Sequence, residues 1–162
     1  MIARAKRDHG GGGFLVGDVV TGQGIPRRRY DTVVCVRTLQ NLASLDEQAR
    51  ALETIASRLH DDGTLILAEG FRDGFAELDR QRADRGMPPL APAPFNYYPW
   101  FDEWFPVADR LFRPVDWFHF GTFDRLTRVL DFDPARAAVT AAAYNPPWFA
   151  HLSRVRGMIL RR

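Results

Sequence analysis

Cysteine is almost missing from this sequence: Cys35 stands alone. No internal disulfide can form, and a lone cysteine inside an apolar run reads as a small core side chain in a reducing, cytoplasmic setting. Lysine is equally scarce, with Lys6 the only one and arginine supplying every other cationic side chain. No run approaches the ~20 apolar residues of a membrane span, and no apolar segment follows Met1 in the manner of a signal peptide. Neither charge sign dominates, since 22 Lys and Arg face 20 Asp and Glu for a net charge of +2. The arginines are dispersed among acids, except at Arg27-Arg28-Arg29 and Arg161-Arg162, so no nucleic-acid surface is expected. Four histidines and one cysteine without ligand spacing give no reason to expect a metal.

What the 162 residues do contain is enough apolar sequence, 46%, for one soluble globular domain. Its centre is Tyr30 to Gly70. Thr32–Val36 is a β-branched apolar run of the kind found in strands covered on both faces. Ser44-Leu45-Asp46-Glu47 has the form of a capping box, and Ala49, Leu52, Ile55, Ala56 and Leu59 follow at helical spacing. Asp62-Gly63 reads as a turn, and Thr64–Ala68 as a second buried strand. Strand, crossover helix and strand make the parallel unit of an α/β domain.

Around this unit the pattern is less regular. Residues 1–8 read as the end of a helix, and the glycines at 10–13 as a flexible turn better than a phosphate cradle, since no Gly-Lys-Ser/Thr follows. Phe14–Asp18 reads as a short strand with an acid at its carboxyl end. Asp73–Arg85 predicts a polar helix. From Leu90 to Trp117 proline and aromatics crowd together, so residues 71–114 read as a cap insertion with a short helix at Asp102–Asp109, although an aromatic filling for the core competes with that reading. Val115–Phe120 predicts a strand, Phe123–Leu130 and Pro134–Ala143 helices, Trp148–Arg154 a last helical turn or two, and Gly157–Leu160 a final strand.

Tyr30-Asp31 ahead of the first buried run, and Leu59-His-Asp-Asp-Gly63 ahead of the second, resemble the fourth and fifth strands of class I S-adenosylmethionine-dependent methyltransferases. Phe14-x-x-Gly17-Asp18 is similar to the third strand of that family. The resemblance implies an α/β, Rossmann-like sheet that is incomplete at its N-terminus, because the first strand with its Gly-x-Gly-x-Gly loop and the second strand have no counterpart. The chain therefore reads as truncated. In the family order 3-2-1-4-5-7-6, a two-strand gap would separate Phe14–Gly17 from Thr32–Val36 by roughly 14 Å. Either Phe14–Gly17 pairs directly against Thr32–Val36, or another chain, a second copy or a partner subunit, completes the sheet, or the fragment folds poorly.

The resemblance also implies S-adenosyl-L-methionine as cofactor and a small molecule or saccharide as methyl acceptor. Asp18 would carry adenine recognition, with Val19 lending its backbone. Val36, Arg37 and Leu39 would lie near the methionine portion, with Arg37 pairing either with its carboxylate or with Glu69. Glu69 is the leading base or substrate-orienting group, an ion pair being its alternative. Tyr97, Tyr98 and Trp100 would wall the acceptor pocket, and His119 and His151 are the remaining candidate bases. A non-catalytic remnant or partner subunit is the competing expectation.

Overall fold

The computed structural model describes residues 2–8 and 13–162. Most of the glycine run thus lies outside the described residues. Four strands form one sheet: β1 (Tyr30–Val36), β2 (Leu59–Gly70), β3 (Arg113–His119) and β4 (Val155–Arg161). Their order is β1-β2-β4-β3. β1 and β2 are parallel, with Thr32 opposite Thr64 and Val36 opposite Ala68, while β4 runs antiparallel to both neighbours. This is the 4-5-7-6 portion of the expected order.

Helix α1 (Ile2–Asp8) precedes the sheet, and α2 (Leu45–Ser57) makes the crossover between β1 and β2. Ser44 caps α2 as its sequence predicts, its hydroxyl accepting from the Glu47 amide at 3.2 Å. The Glu47 carboxylate reaches one residue further back, to the Ala43 amide. Ala51, Leu52, Ile55 and Ala56 face inward. They pack with Leu65, Leu67, Met158 and Leu160 of the sheet. Burying such a stripe supplies most of the stability of an amphipathic helix.

Three local expectations differ from the structure. Asp62-Gly63 is no turn between elements, because β2 already begins at Leu59. The surplus residues are absorbed as an irregularity between the Tyr30–Leu59 and Thr32–Thr64 pairs. Phe14–Gly17 forms no strand; the chain passes without ladder bonds into a turn at Val19–Thr21. Phe14–Gly17 is not among the strands of the sheet, whose order begins at β1. Finally, β1 is covered on one face only: Cys35 is buried, whereas Val34 and Val36 are 64% and 53% exposed.

After β2 come α3 (Arg72–Ala83), an extended stretch, and α4 (Phe101–Asp109); α5 (Gly121–Arg128) and α6 (Pro134–Ala143) lie between β3 and β4, followed by a 3-10 segment at Pro147–Leu152. The aromatic stretch divides its labour. Trp104, Ala108 and Phe112 join the main core beside Phe71, with the Phe71 and Trp104 rings edge to face at 5.2 Å. Its earlier half, by contrast, stays nearer the surface and walls a cavity. Leu78 of α3 packs separately with Val129 and Leu152.

Candidate functional site

The carboxyl ends of β1 and β2, where open α/β sheets bind ligands, carry a loop held by one side chain. Glu69 is 2% exposed. Its Oε1 accepts from the amides of Thr38 at 2.7 Å and Leu39 at 3.0 Å, and its Oε2 from that of Gln40 at 3.2 Å. The Cys35 thiol adds a weaker contact at 3.6 Å. These amides open the short 3-10 helix Leu39–Asn41 and would otherwise be unpaired donors. Burial pushes the Glu69 carboxyl above its ordinary range, and the amide bonds oppose that rise. Burial and the neighbouring carboxylate push the Cys35 thiol up to about 12.

Gln48 of α2 donates to the carbonyls of Leu39 and Tyr97, tying the loop to the aromatic stretch. The Tyr97 amide returns a bond to the Gln40 carbonyl at 2.8 Å. Arg37 stands at φ 50°, an uncommon conformation for a residue with a side chain. Its amide donates to Ala68 and its carbonyl accepts from Asn41 at 2.6 Å. Arg37 does not pair with Glu69; the carboxylate is occupied by the loop.

Beside this loop lie two cavities that meet at Phe75 and Tyr98. The first, about 390 Å³, is lined by Arg72, Phe75, Ala76, Asp79, Pro92, Asn96, Tyr97, Tyr98 and Trp100. Tyr98 leans on Phe75 with ring centroids 4.8 Å apart and accepts from Asn96 at 2.7 Å. A β-carbon on Gly70 would come within 2.5 Å of the Tyr98 ring, so glycine at the end of β2 is what admits the tyrosine. The second cavity, about 280 Å³, is bounded by Arg37, Tyr98, Arg128 and Arg154 among others. The structure thus gathers Arg37, Tyr97, Tyr98 and Trp100 around the ends of β1 and β2.

Asp18 and Val19 lie outside these two cavities, in and beside a turn next to β1. Asp18 Oδ1 accepts from the amides of Val20 at 2.7 Å and Thr21 at 3.2 Å, which hold its carboxyl below the usual range. Val19 borders a furrow of about 390 Å³ along β1, shared with Val33, Cys35, Thr38, Thr54 and Arg58. Val36 and Leu39 frame the loop, but the Leu39 side chain is in the core. His119 accepts from the Gly121 amide at 3.3 Å, and burial holds its imidazole below its ordinary pKa. His151 is exposed and stands 3.8 Å from Glu77. Among the described residues no His, Cys, Asp and Glu cluster could hold a metal, and no helix is long and apolar enough to cross a membrane. No site role was expected of Phe75, Asn96, Arg128 or Arg154, and single arginines do not stand out in a chain whose cationic side chains are nearly all arginine.

No protein-family model and no curated protein matches the sequence. Solved structures do match. A chain of the complex between the Haloferax volcanii Trm112 methyltransferase activator and the putative methyltransferase superposes with a TM-score of 0.56 at 16% identity, covering 99% of this chain and 66% of that one. The [4+2]-cyclase SpnF gives 0.55 at 16% identity, over 99% and 61%. A TehB-like SAM-dependent methyltransferase from Corynebacterium glutamicum gives 0.54 at 18% identity, over 98% and 61%. The chain thus spans about two thirds or less of the length of these structures. Strand order, crossover helix and these superpositions agree that the fold is the Rossmann-like one of class I S-adenosylmethionine-dependent methyltransferases.

Proposed function

We propose that this chain serves S-adenosylmethionine-dependent methyl transfer to a small molecule or saccharide, with the acceptor in the cavity walled by Tyr97, Tyr98 and Trp100. The observation that carries the reading is that cavity's place: it adjoins the ordered loop at the carboxyl ends of β1 and β2 in a methyltransferase fold. The residues present suit part of the cofactor. The furrow along β1 offers apolar walls to an adenine, with Val19 at its rim and the Asp18 carboxylate in the adjoining turn. No carboxylate lines the furrow to take the ribose hydroxyls among the described residues.

When bound, the cofactor supplies a methyl group already activated on a sulfonium, so alignment is the main demand on the protein. The chain's own residues meet that demand by rigidity. Glu69 fixes the 38–40 amides and thereby the loop whose Val36 and Leu39 backbone would face the methionine portion; its role is positioning, since its oxygens are already engaged. Tyr98 and Phe75 shield the acceptor from water. The alternative is a non-catalytic partner subunit, favoured by the place of β1 as an outer strand of the sheet with exposed Val34 and Val36. The [4+2]-cyclase among the matches is a reminder that the fold hosts more than one chemistry. Titration calorimetry with S-adenosylmethionine and S-adenosylhomocysteine separates the readings: saturable binding of both supports methyl transfer, and no heat at millimolar ligand favours the partner subunit.

A further inference from the structure

The second cavity at Tyr98 differs in chemistry from the first. Three arginines border it, from the loop after β1 (Arg37), the last residue of α5 (Arg128) and the residue preceding β4 (Arg154). One carboxylate answers them: Asp124 accepts from Arg154 Nε at 2.8 Å and from the Arg154 amide at 2.9 Å. Arg37 and Arg128 have no carboxylate within 4.0 Å among the described residues. Arg82 brings a fourth positive charge close by, donating to the Arg128 carbonyl. Burial, and after it repulsion chiefly from Arg154, holds the Arg128 guanidinium below its ordinary range, with Arg82 and Arg37 contributing and Asp124 opposing.

Like charges gathered around a cavity repel unless something negative joins them. Arg37 is moreover held at positive φ by bonds from its amide to the Ala68 carbonyl and to its carbonyl from Asn41, and backbone strain of this sort collects at ligand sites. Guanidinium forks match carboxylate and phosphate oxygens in pairs. The adjoining cavity, which shares Phe75, Pro92, Asn96 and Tyr98 with this one, offers an aromatic wall.

We propose that the arginine-lined cavity binds the carboxylate or phosphate of the methyl acceptor, through Arg37 and Arg128 with Arg154 held ready by Asp124, while the aromatic cavity takes the acceptor's apolar body. Calling the ligand an acceptor rests on the methyltransferase reading; the anion site itself does not. Calorimetry on the full chain with benzoate, phenyl phosphate and neutral benzamide tests it. At least one anion binds, benzamide binds at least about tenfold more weakly, and Arg37→Gln and Arg128→Gln each cost about tenfold or more, equivalent to ~1.4 kcal/mol. Which anion binds identifies the group. Among the described residues neither arginine side chain has a hydrogen-bond partner to lose, and circular dichroism verifies that both variants fold. Benzamide binding as tightly as the anions, unchanged affinity in both variants, or no binding of either anion overturns the proposal. Anion binding that depends on the arginines, in a chain that ignores S-adenosylmethionine, upholds the site and removes the methyltransferase reading; cofactor binding without anion binding does the reverse.

Discussion

Replacing Glu69 with alanine removes the acceptor for three backbone amides and a thiol at once. Each buried donor left unpaired costs about 1–3 kcal/mol, and bonds to a charged group stand at the upper end of that range. Three such amides, allowing for relaxation and water entry, put the loss at about 3–5 kcal/mol, a large share of the 5–15 kcal/mol typical of a domain. The midpoint of thermal unfolding should fall by about 10 °C, at roughly 2–4 °C per kcal/mol for a chain of this size. Glutamine keeps the shape and one acceptor oxygen. Its carbonyl can still serve Thr38 and Leu39, but its NH2 then faces the Gln40 amide donor to donor. One lost bond predicts about 1–3 kcal/mol. Urea unfolding of wild type, Glu69→Gln and Glu69→Ala should therefore give stability in that order. Should the alanine variant lie within ~0.5 kcal/mol of wild type, the range of an inconsequential surface change, the brace is not what holds the loop. Should turnover vanish in both variants while stability holds, Glu69 is a base and not a positioning residue.

Gly70→Ala brings a methyl within 2.5 Å of the Tyr98 ring, so it should displace Tyr98 and quench or shift its fluorescence environment; an unaltered Tyr98 aromatic resonance in NMR spectra would argue against that packing. Cys35, with its thiol pushed up to about 12, is protonated throughout the physiological range because a raised pKa defers ionisation to alkaline pH. A disulfide reagent at pH 8 should leave native protein unlabelled and label it in denaturant, and rapid native labelling would contradict the burial. Val34→Lys together with Val36→Lys places charge on an exposed face of an outer strand, a known means of blunting aggregation. Light scattering should show fewer large particles, and an increase would mean that these valines are needed to cover something.

The central unit was legible because its signals are local. Ser44 caps, Leu52 and Ile55 keep helical spacing, the run around Val33 is rich in β-branched residues, and the run around Ile66 is a short continuous apolar stretch of strand length. Phe14–Gly17 carries a similar local signal and forms no strand of the sheet; local propensity alone does not decide strand formation, which depends on tertiary context. The site was legible in part. Tyr97, Tyr98 and Trp100 announced a pocket wall by their crowding. Glu69's amide partners come from the loop after β1, a contact made by the crossover and invisible to spacing. Arg128 and Arg154 meet Arg37 only in the folded chain, where Asp124 of α5 ties down Arg154 just ahead of β4, and sequence spacing does not bring the three together.

Backbone NMR of the labelled chain during titration with S-adenosylmethionine tests whether the ends of β1 and β2 form the proposed cofactor and acceptor site. Saturable shifts concentrated at residues 36–41 and at Asp18 and Val19, with smaller ones at Tyr98, are predicted. No saturable shift up to millimolar cofactor, or shifts confined to surfaces away from the β1 and β2 ends, would contradict it.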